Sequence, residues 1–289
     1  LLGSEMCIRD RTKTVAQAML AKVYAEKEVQ DYDKVIAYAD KVMKTTGVEL
    51  EDSYETLWGY DETAKDCMKR NTKEGILEVH WTTGSGNWET WMYGRQLDNW
   101  DYNFTWAKWI TPSRDIINDF DKEGDEVRKN QAIVYYACTW SNYYPASNYP
   151  FMYKLRSSYN NIYWLRLADI ILMKAEAEAY KGNLAESAKL VNQIRKRAKL
   201  KELTSDKTGS KESMIEAVLH ERRLELAFEG ERWFDLCRNN KVEQYLNGID
   251  NRDSGRIRQV RQFDGNSYLL PIPQTALDQN TNLEQNPGY

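Results

Sequence analysis

The residues best equipped for acid–base chemistry are concentrated in one string, HERRLELAFEGERWFDLCR. Within it Glu221, Glu225 and Glu229 fall on every fourth residue. On a helix they share one face, and carboxylates so placed can act as general acid and base. Arg222, Arg223, Arg232 and Arg238 lie among them. Carboxylates amid so many guanidinium groups are usually a structural ion-pair network, and the composition favours that reading. His220-Glu221-Arg222-Arg223-Leu224 starts like the zinc motif His-Glu-x-x-His, but leucine stands where the second imidazole belongs. With His80 the only other histidine, no tetrahedral ligand set is assembled. No nucleophile elbow, phosphate loop or Gly-x-Gly-x-x-Gly turn follows a strand-like run. The sequence thus points to no catalytic residue, no metal and no cofactor.

The stronger chemical signal is aromatic. The chain carries 10 tryptophans and 19 tyrosines. Trp88, Trp91, Tyr93, Trp100, Trp140, Tyr143 and Tyr144 sit among Gly, Asn, Ser and Asp, a loop context. Loops held by a rigid scaffold are where binding residues concentrate. A pyranose presents an apolar C–H face ringed by hydroxyls, which an indole or phenol ring matches with a flat surface and a polar edge. Asn87, Arg95, Asp98, Asn99 and Asn142 are the candidate polar partners for those hydroxyls. Each net hydrogen bond would contribute about 0.5–1.5 kcal/mol. Trp58, Trp81, Trp106, Trp109, Trp164 and Trp233 are assigned to packing instead, because they lie in or beside apolar periodic segments.

Such loops need a frame, and helical periodicity supplies one. In YWLRLADIILMKAEAEAYKGNLAESAKLVNQIRKRAKL, read as helix from its start, Leu165, Ala168, Ile171, Leu172, Ala175 and Ala179 form one apolar stripe. Gly182-Asn183 breaks it, and Leu190, Val191, Ile194 and Ala198 restart it, as in a tetratricopeptide-type hairpin. Ser210 caps a third helix with Glu212 in its first turn, and Gly230 interrupts that helix. Trp233 and Phe234 are then expected to anchor against Leu219 and Leu226, with Glu225 or Glu229 paired to a neighbouring arginine. Residues 12–47 give another helical hairpin, with Val15, Ala18 and Met19 on one helix and Val35, Ala39 and Val42 on the other. Between them, EGILEVHW and QAIVYYACTW are short strand candidates among long loops. RIRQVRQF is a candidate edge strand, and Pro271 and Pro273 exclude regular structure around them.

These motifs resemble a known family. LRLADIILMKAEA, VNQIRKRA, ERRLELAFEGERWFDLCR and the ending YLLPIPQTALDQNTNLEQNPGY are similar, in order, to the signature of the SusD/RagB family. The resemblance implies a mostly α fold, a SusD-like α–α superhelix of tetratricopeptide-like hairpins with a large loop-rich insertion containing short strands. It also implies a lipoprotein on the outer-membrane surface that binds oligosaccharide or polysaccharide nutrients. Its partner would be a SusC-like TonB-dependent transporter. The expected organisation is a single domain over 12–289: a helical hairpin at 12–47, the insertion at 48–160, core helices at 161–240 and an irregular segment at 241–289. Residues 1–11, LLGSEMCIRDR, fit none of this and read as a translated adapter sequence joined to a chain that lacks its own beginning. The family's lipid-anchor cysteine would lie in that absent part.

Composition narrows the function classes. A formal charge of -4, with both signs interspersed, lacks the basic stripe of a nucleic-acid binder. A mean hydropathy of -0.74 excludes a membrane-spanning bundle. Cysteines at 7, 67, 138 and 237 make neither a zinc spacing nor a disulfide framework. The leading expectation is therefore a non-catalytic glycan-binding protein. The alternatives are a helical-repeat scaffold that binds only proteins, and a glycoside hydrolase with two carboxylates about 5 Å or about 6.5–9.5 Å apart.

Overall fold

The computed structural model describes residues 12–64, 66–81, 93–94, 110–139, 143–157, 159–255, 259 and 261–289. It opens with the expected hairpin, α1 (Lys13–Ala25) and α2 (Tyr32–Met43). Thr12 and Asp31 cap the two helices by accepting from the backbone N–H groups of Val15 and Lys34. Ala18, Ala21, Ala39 and Val35 are buried between and beneath them, the small side chains allowing close approach. Tyr24 and Tyr38 stack with ring centroids 5.8 Å apart.

The middle of the chain is built from short pieces. They are α3 (Tyr54–Trp58), β1 (Tyr60–Asp61), β2 (Asp66–Cys67), β3 (Gly75–Val79), α4 (Arg114–Glu123), α5 (Glu126–Ala132), β4 (Ile133–Tyr136), β5 (Tyr149–Met152) and β6 (Ile162–Arg166). Among the described residues the strands pair only as two-stranded antiparallel ladders, β1 with β2, β3 with β6 and β4 with β5. The two strand candidates of the sequence are β3 and β4.

Four longer helices follow, α6 (Leu167–Tyr180), α7 (Leu184–Arg197), α8 (Lys211–Glu225) and α9 (Arg232–Arg238), with a single turn at Ser205–Thr208 between α7 and α8. The single stripe expected on α6 is corrected, since every residue from Leu167 to Ala179 is buried. Its Met173 and Ala177 cluster with Ala25 and Val35 of the first hairpin. Its Leu172, Ala175 and Ala179 join Leu190, Val191 and Ile194 of α7 and Met214 and Val218 of α8. A helix buried on every side is packed on every side, and α6 is the axis of the core. Its buried charges each find a partner: Asp169 with Lys22 and Arg222, Lys174 with Asp40, Glu176 with Arg238.

Three further expectations change. Residues 162–166 are strand, not the first turn of a helix, and α6 begins at Leu167. The alternation of that strand buries Tyr163 and Leu165 and leaves Trp164 64% exposed, so Trp164 is not a packing residue. Ser210 caps α8 as expected, but the helix stops at Glu225, ahead of Gly230. Phe228 and Gly230, with φ of 66° and 88°, turn the chain back. Finally, Trp233 and Phe234 are not buried against Leu219 and Leu226: they are 36% and 55% exposed. The buried face of α9 carries Asp235, Leu236 and Arg238. Asp235 and Arg238 bind Arg222 and Glu176, and these ion pairs fix which side of the helix turns inward. Past α9 the described residues form short turns of helix at Val242–Leu246, Ile249–Arg252, Gly265–Tyr268 and Gln274–Gln279. The proposed edge strand falls partly outside the described residues, and its described part, 259 and 261–263, forms no strand.

Candidate ligand-binding site

Glu221 and Glu225 of α8 are fully buried. Glu225 accepts from Arg166 and Arg197, both at 2.6 Å, from Arg128 at 3.3 Å, and from the Tyr54 hydroxyl. Glu221 accepts from Arg128 at 2.6 Å and Arg195 at 2.9 Å. Glu229, beyond the helix end, accepts from Arg166 and from the buried Lys154. Glu74 closes the network on Arg166 at 2.8 Å. The expected pairing with arginine is therefore present, but the partners come from β6, α7 and α5 rather than from the neighbouring Arg222, Arg223, Arg232 and Arg238. Burial pushes the Glu225 carboxyl up, yet Arg197, Arg166 and Arg128 outweigh it and hold the group well below the usual carboxylate range. A carboxylate so held is a weak base and has no open side for a substrate.

The network also positions the loop-bearing region. Arg128 lies on α5, and Lys154 and Arg166 lie on either side of the 155–161 connection. All three converge on the end of α8, so the middle of the chain is fastened to the core helices through buried charge.

Nine of the proposed ligand-binding residues lie outside the described residues: Asn87, Trp88, Trp91, Arg95, Asp98, Asn99, Trp100, Trp140 and Asn142, as do the packing candidates Trp106 and Trp109. Described residues at one end of each stretch nonetheless reach β5 or the turn just before it. Gly94 bridges Met152. Thr111 donates its hydroxyl to the Pro150 carbonyl at 3.1 Å. Tyr136 pairs with Tyr149, and the Cys138 N–H donates to the Ala146 carbonyl at 2.8 Å. One end of each aromatic stretch is thus tied at or beside one short, fully buried strand.

Of the three described candidates, Tyr144 is already engaged. Its hydroxyl donates to the Pro112 carbonyl at 2.6 Å, the Arg114 guanidinium lies 4.1 Å from its ring centroid, and it meets Tyr149 edge-on at 5.7 Å. Tyr143 is partly buried and its carbonyl accepts from Arg114. Tyr93 is partly buried beside Gly94. Tyr144 therefore serves as a strut for the loop base.

Among the packing assignments, Trp58 is buried, with the Lys154 ammonium 4.9 Å from its ring centroid. Trp164, Trp233 and Phe234 are large rings facing solvent that sequence periodicity placed inside. The signal that could have placed Trp233 was the i, i+3 pair Asp235 and Arg238, whose charges require buried partners on the opposite face.

Comparison with known proteins agrees with this architecture. Residues 55–289 match the model of the SusD family. The chain belongs to the SusD family. This SusD-family chain is 36% identical over 135 residues to a SusD-like protein of Formosa agariphila, a match covering 45% of the chain and 25% of that relative. It thus matches about a quarter of the relative's length. A SusD-like protein from Bacteroides fragilis superposes with a TM-score of 0.73 at 21% identity, over 99% of this chain and 67% of that one. A laminarin-binding SusD-like protein gives a TM-score of 0.69 at 23% identity, over 99% of this chain and 64% of that one. At such identities these structures establish the SusD-like, mostly helical fold of the chain.

Proposed function

We propose that this SusD-family protein binds an oligosaccharide through its aromatic loops without altering it chemically. It would then pass the ligand to a SusC-like TonB-dependent transporter at the outer-membrane surface. The observation that carries the reading is the tying of one end of each aromatic stretch at or beside β5. One rigid strand would hold Trp88, Trp91, Trp100 and Trp140 as stacking platforms, with Asn87, Arg95, Asp98, Asn99 and Asn142 for the hydroxyls. Tyr93 and Tyr143 would complete the wall at its base. The laminarin-binding relative supports a glucan as ligand. Among the described residues no helix is long and apolar enough to cross a membrane, which is compatible with attachment by a lipid anchor. Release of the ligand intact is supported by the engagement of Glu221, Glu225 and Glu229 in ion pairs with Arg128, Arg166, Arg195 and Lys154.

Calorimetry on single Trp88→Ala, Trp91→Ala, Trp100→Ala and Trp140→Ala variants, with laminarin, maltohexaose and xylohexaose as ligands, tests the site. Loss of one stacking ring should weaken binding about tenfold, equivalent to about 1.4 kcal/mol. Four folded variants that all bind as the parent does would move the site away from these loops. Release of reducing sugar that vanished on changing one Asp or Glu would replace the binding reading with a hydrolase.

A further inference from the structure

Trp233 and Phe234 do not project into open solvent alone. They form one wall of a cleft of about 740 Å³ between the α1–α2 turn, α9 and the segment around Tyr268. That volume lies within the range of roughly 300–1,000 Å³ typical of small-ligand sites. The Trp233 ring is propped from behind by Phe263, with centroids 5.9 Å apart at 50°. Across the cleft stands Glu26, the residue that ends α1. Its carboxyl has no hydrogen-bond or ion-pair partner among the described residues. Burial raises its pKa above the ordinary value, and the charges of Arg238 and Lys22 offset this only in part.

The rest of the rim mixes donors and acceptors. Lys27 donates to Asn240 at 2.7 Å, which leaves the Asn240 amide N–H groups free to donate. The Tyr268 hydroxyl donates to Glu243 at 2.5 Å. Arg238, beneath the cleft, is spent on Glu176 and Asp235. Burial pushes the Cys237 thiol up to about 11, so the lining carries no thiolate at neutral pH.

We propose that this cleft is a second carbohydrate-binding site, with Trp233 and Phe234 as the stacking surface and Glu26 and Asn240 as hydroxyl partners. The chemistry selects the occupant. An apolar helix seated on the two rings would bury the Glu26 carboxyl and the Asn240 amide without partners, which costs kilocalories rather than tenths. A basic peptide would suit Glu26 and Glu28 but would meet the Lys27 ammonium at the same rim and leave the Asn240 N–H groups without an acceptor side chain. A sugar hydroxyl both donates and accepts, so it satisfies Glu26, Lys27 and Asn240 alike, while a pyranose face covers the indole. The site uses none of the loop residues and none of β5. It extends the glycan-binding reading and can fail independently of it.

Hydroxyl-radical footprinting of the protein with laminarihexaose, maltohexaose and xylohexaose tests the proposal. With a sugar that binds, oxidation of Trp233 and Phe234 should fall about threefold or more at saturation, and should fall equally in the Trp88→Ala/Trp100→Ala variant. Glu26→Gln keeps the size of a half-exposed side chain and should raise the half-protecting concentration several-fold without moving Tm. Protection of Trp88 and Trp100 with Trp233 and Phe234 still oxidised would overturn the cleft and leave the loop site standing. Protection at neither place by any of the three sugars would overturn both. Protection of Trp233 by oligo-arginine but by no sugar would overturn the carbohydrate assignment.

Discussion

Arg166, the last residue of β6, donates to the carboxylate of Glu225, the last residue of α8, at 2.6 Å, and both side chains are buried. The pair joins the ladder that follows the loop region to the end of a core helix. Arg197 and Arg128 reach the same carboxylate from two other elements. Replacing Glu225 by alanine would take one shared carboxylate from three buried guanidinium groups, each of which keeps another: Arg128 keeps Glu221, Arg166 keeps Glu229 and Glu74, and Arg197 keeps Glu74. Breaking a buried pair from one side costs about 3–5 kcal/mol, and these remaining partners put the site at the lower end. Urea unfolding monitored by circular dichroism should show that loss, with Glu225→Gln intermediate.

Acid should act on the same groups. Burial raises the Glu225 and Asp169 carboxyls, but Arg197, Arg166 and Arg128 around the first, and Lys22 and Arg222 around the second, hold both below their ordinary values. Unfolded, they would titrate near about 4.3 and 3.9. A depressed folded pKa means the stabilisation is complete above those values and is lost as pH falls through the folded ones. Tm should therefore be nearly flat from about pH 7 to 5 and fall steeply below about pH 4. Glu26, Asp125 and Glu231, raised by burial, work in the opposite sense. The informative comparison is with Glu225→Gln, whose Tm should fall less steeply over the same acid range.

What the sequence revealed and what it concealed divide by range of interaction. The α1–α2 hairpin and the Ser210 cap were legible because caps and small-residue spacing act within a few residues. The partners of Glu225 were not, since they lie 28, 59 and 97 residues away. Trp164 and Trp233 were misplaced for a related reason. The first depends on pairing of β6 with β3, and the second on ion pairs that turn α9. For the proposed site, Gly, Asn and Ser suggested loops from sequence alone, while the support from β5 became visible only in the approach of Gly94 to Met152 and Leu155.

Two tryptophans that look alike in sequence should therefore behave oppositely. Trp58 is buried, packs edge-on against Tyr163 at 5.0 Å and faces the Lys154 ammonium. Trp58→Ala should cost about 3–5 kcal/mol through the cavity left behind. Trp164 is exposed on β6, and its alanine variant should stay within about 0.5 kcal/mol of the parent. Equal losses in paired denaturant titrations would mean that Trp164 is covered in solution.

Gly94 offers the sharpest test of the loop site because it acts without contributing a side chain. A Cβ there would stand 1.9 Å from the Leu155 carbonyl oxygen and 2.8 Å from the Leu155 Cβ. Neither neighbour is free to withdraw. Met152, bridged by Gly94, is held in β5 by its pairing with Ile133. The chain just past Leu155 is held by Arg156, which donates to the Tyr153 and Gln131 carbonyls at 2.7 and 2.9 Å. Alanine must therefore lift the 93–94 segment off its support and displace the aromatic stretches on either side. The core around α6 does not include Gly94, so Tm should change by only a few degrees. Affinity for an oligosaccharide that the parent binds should fall about tenfold or more by calorimetry. If Gly94→Ala binds as tightly as the parent, the loops do not depend on β5 and the proposed site loses its foundation.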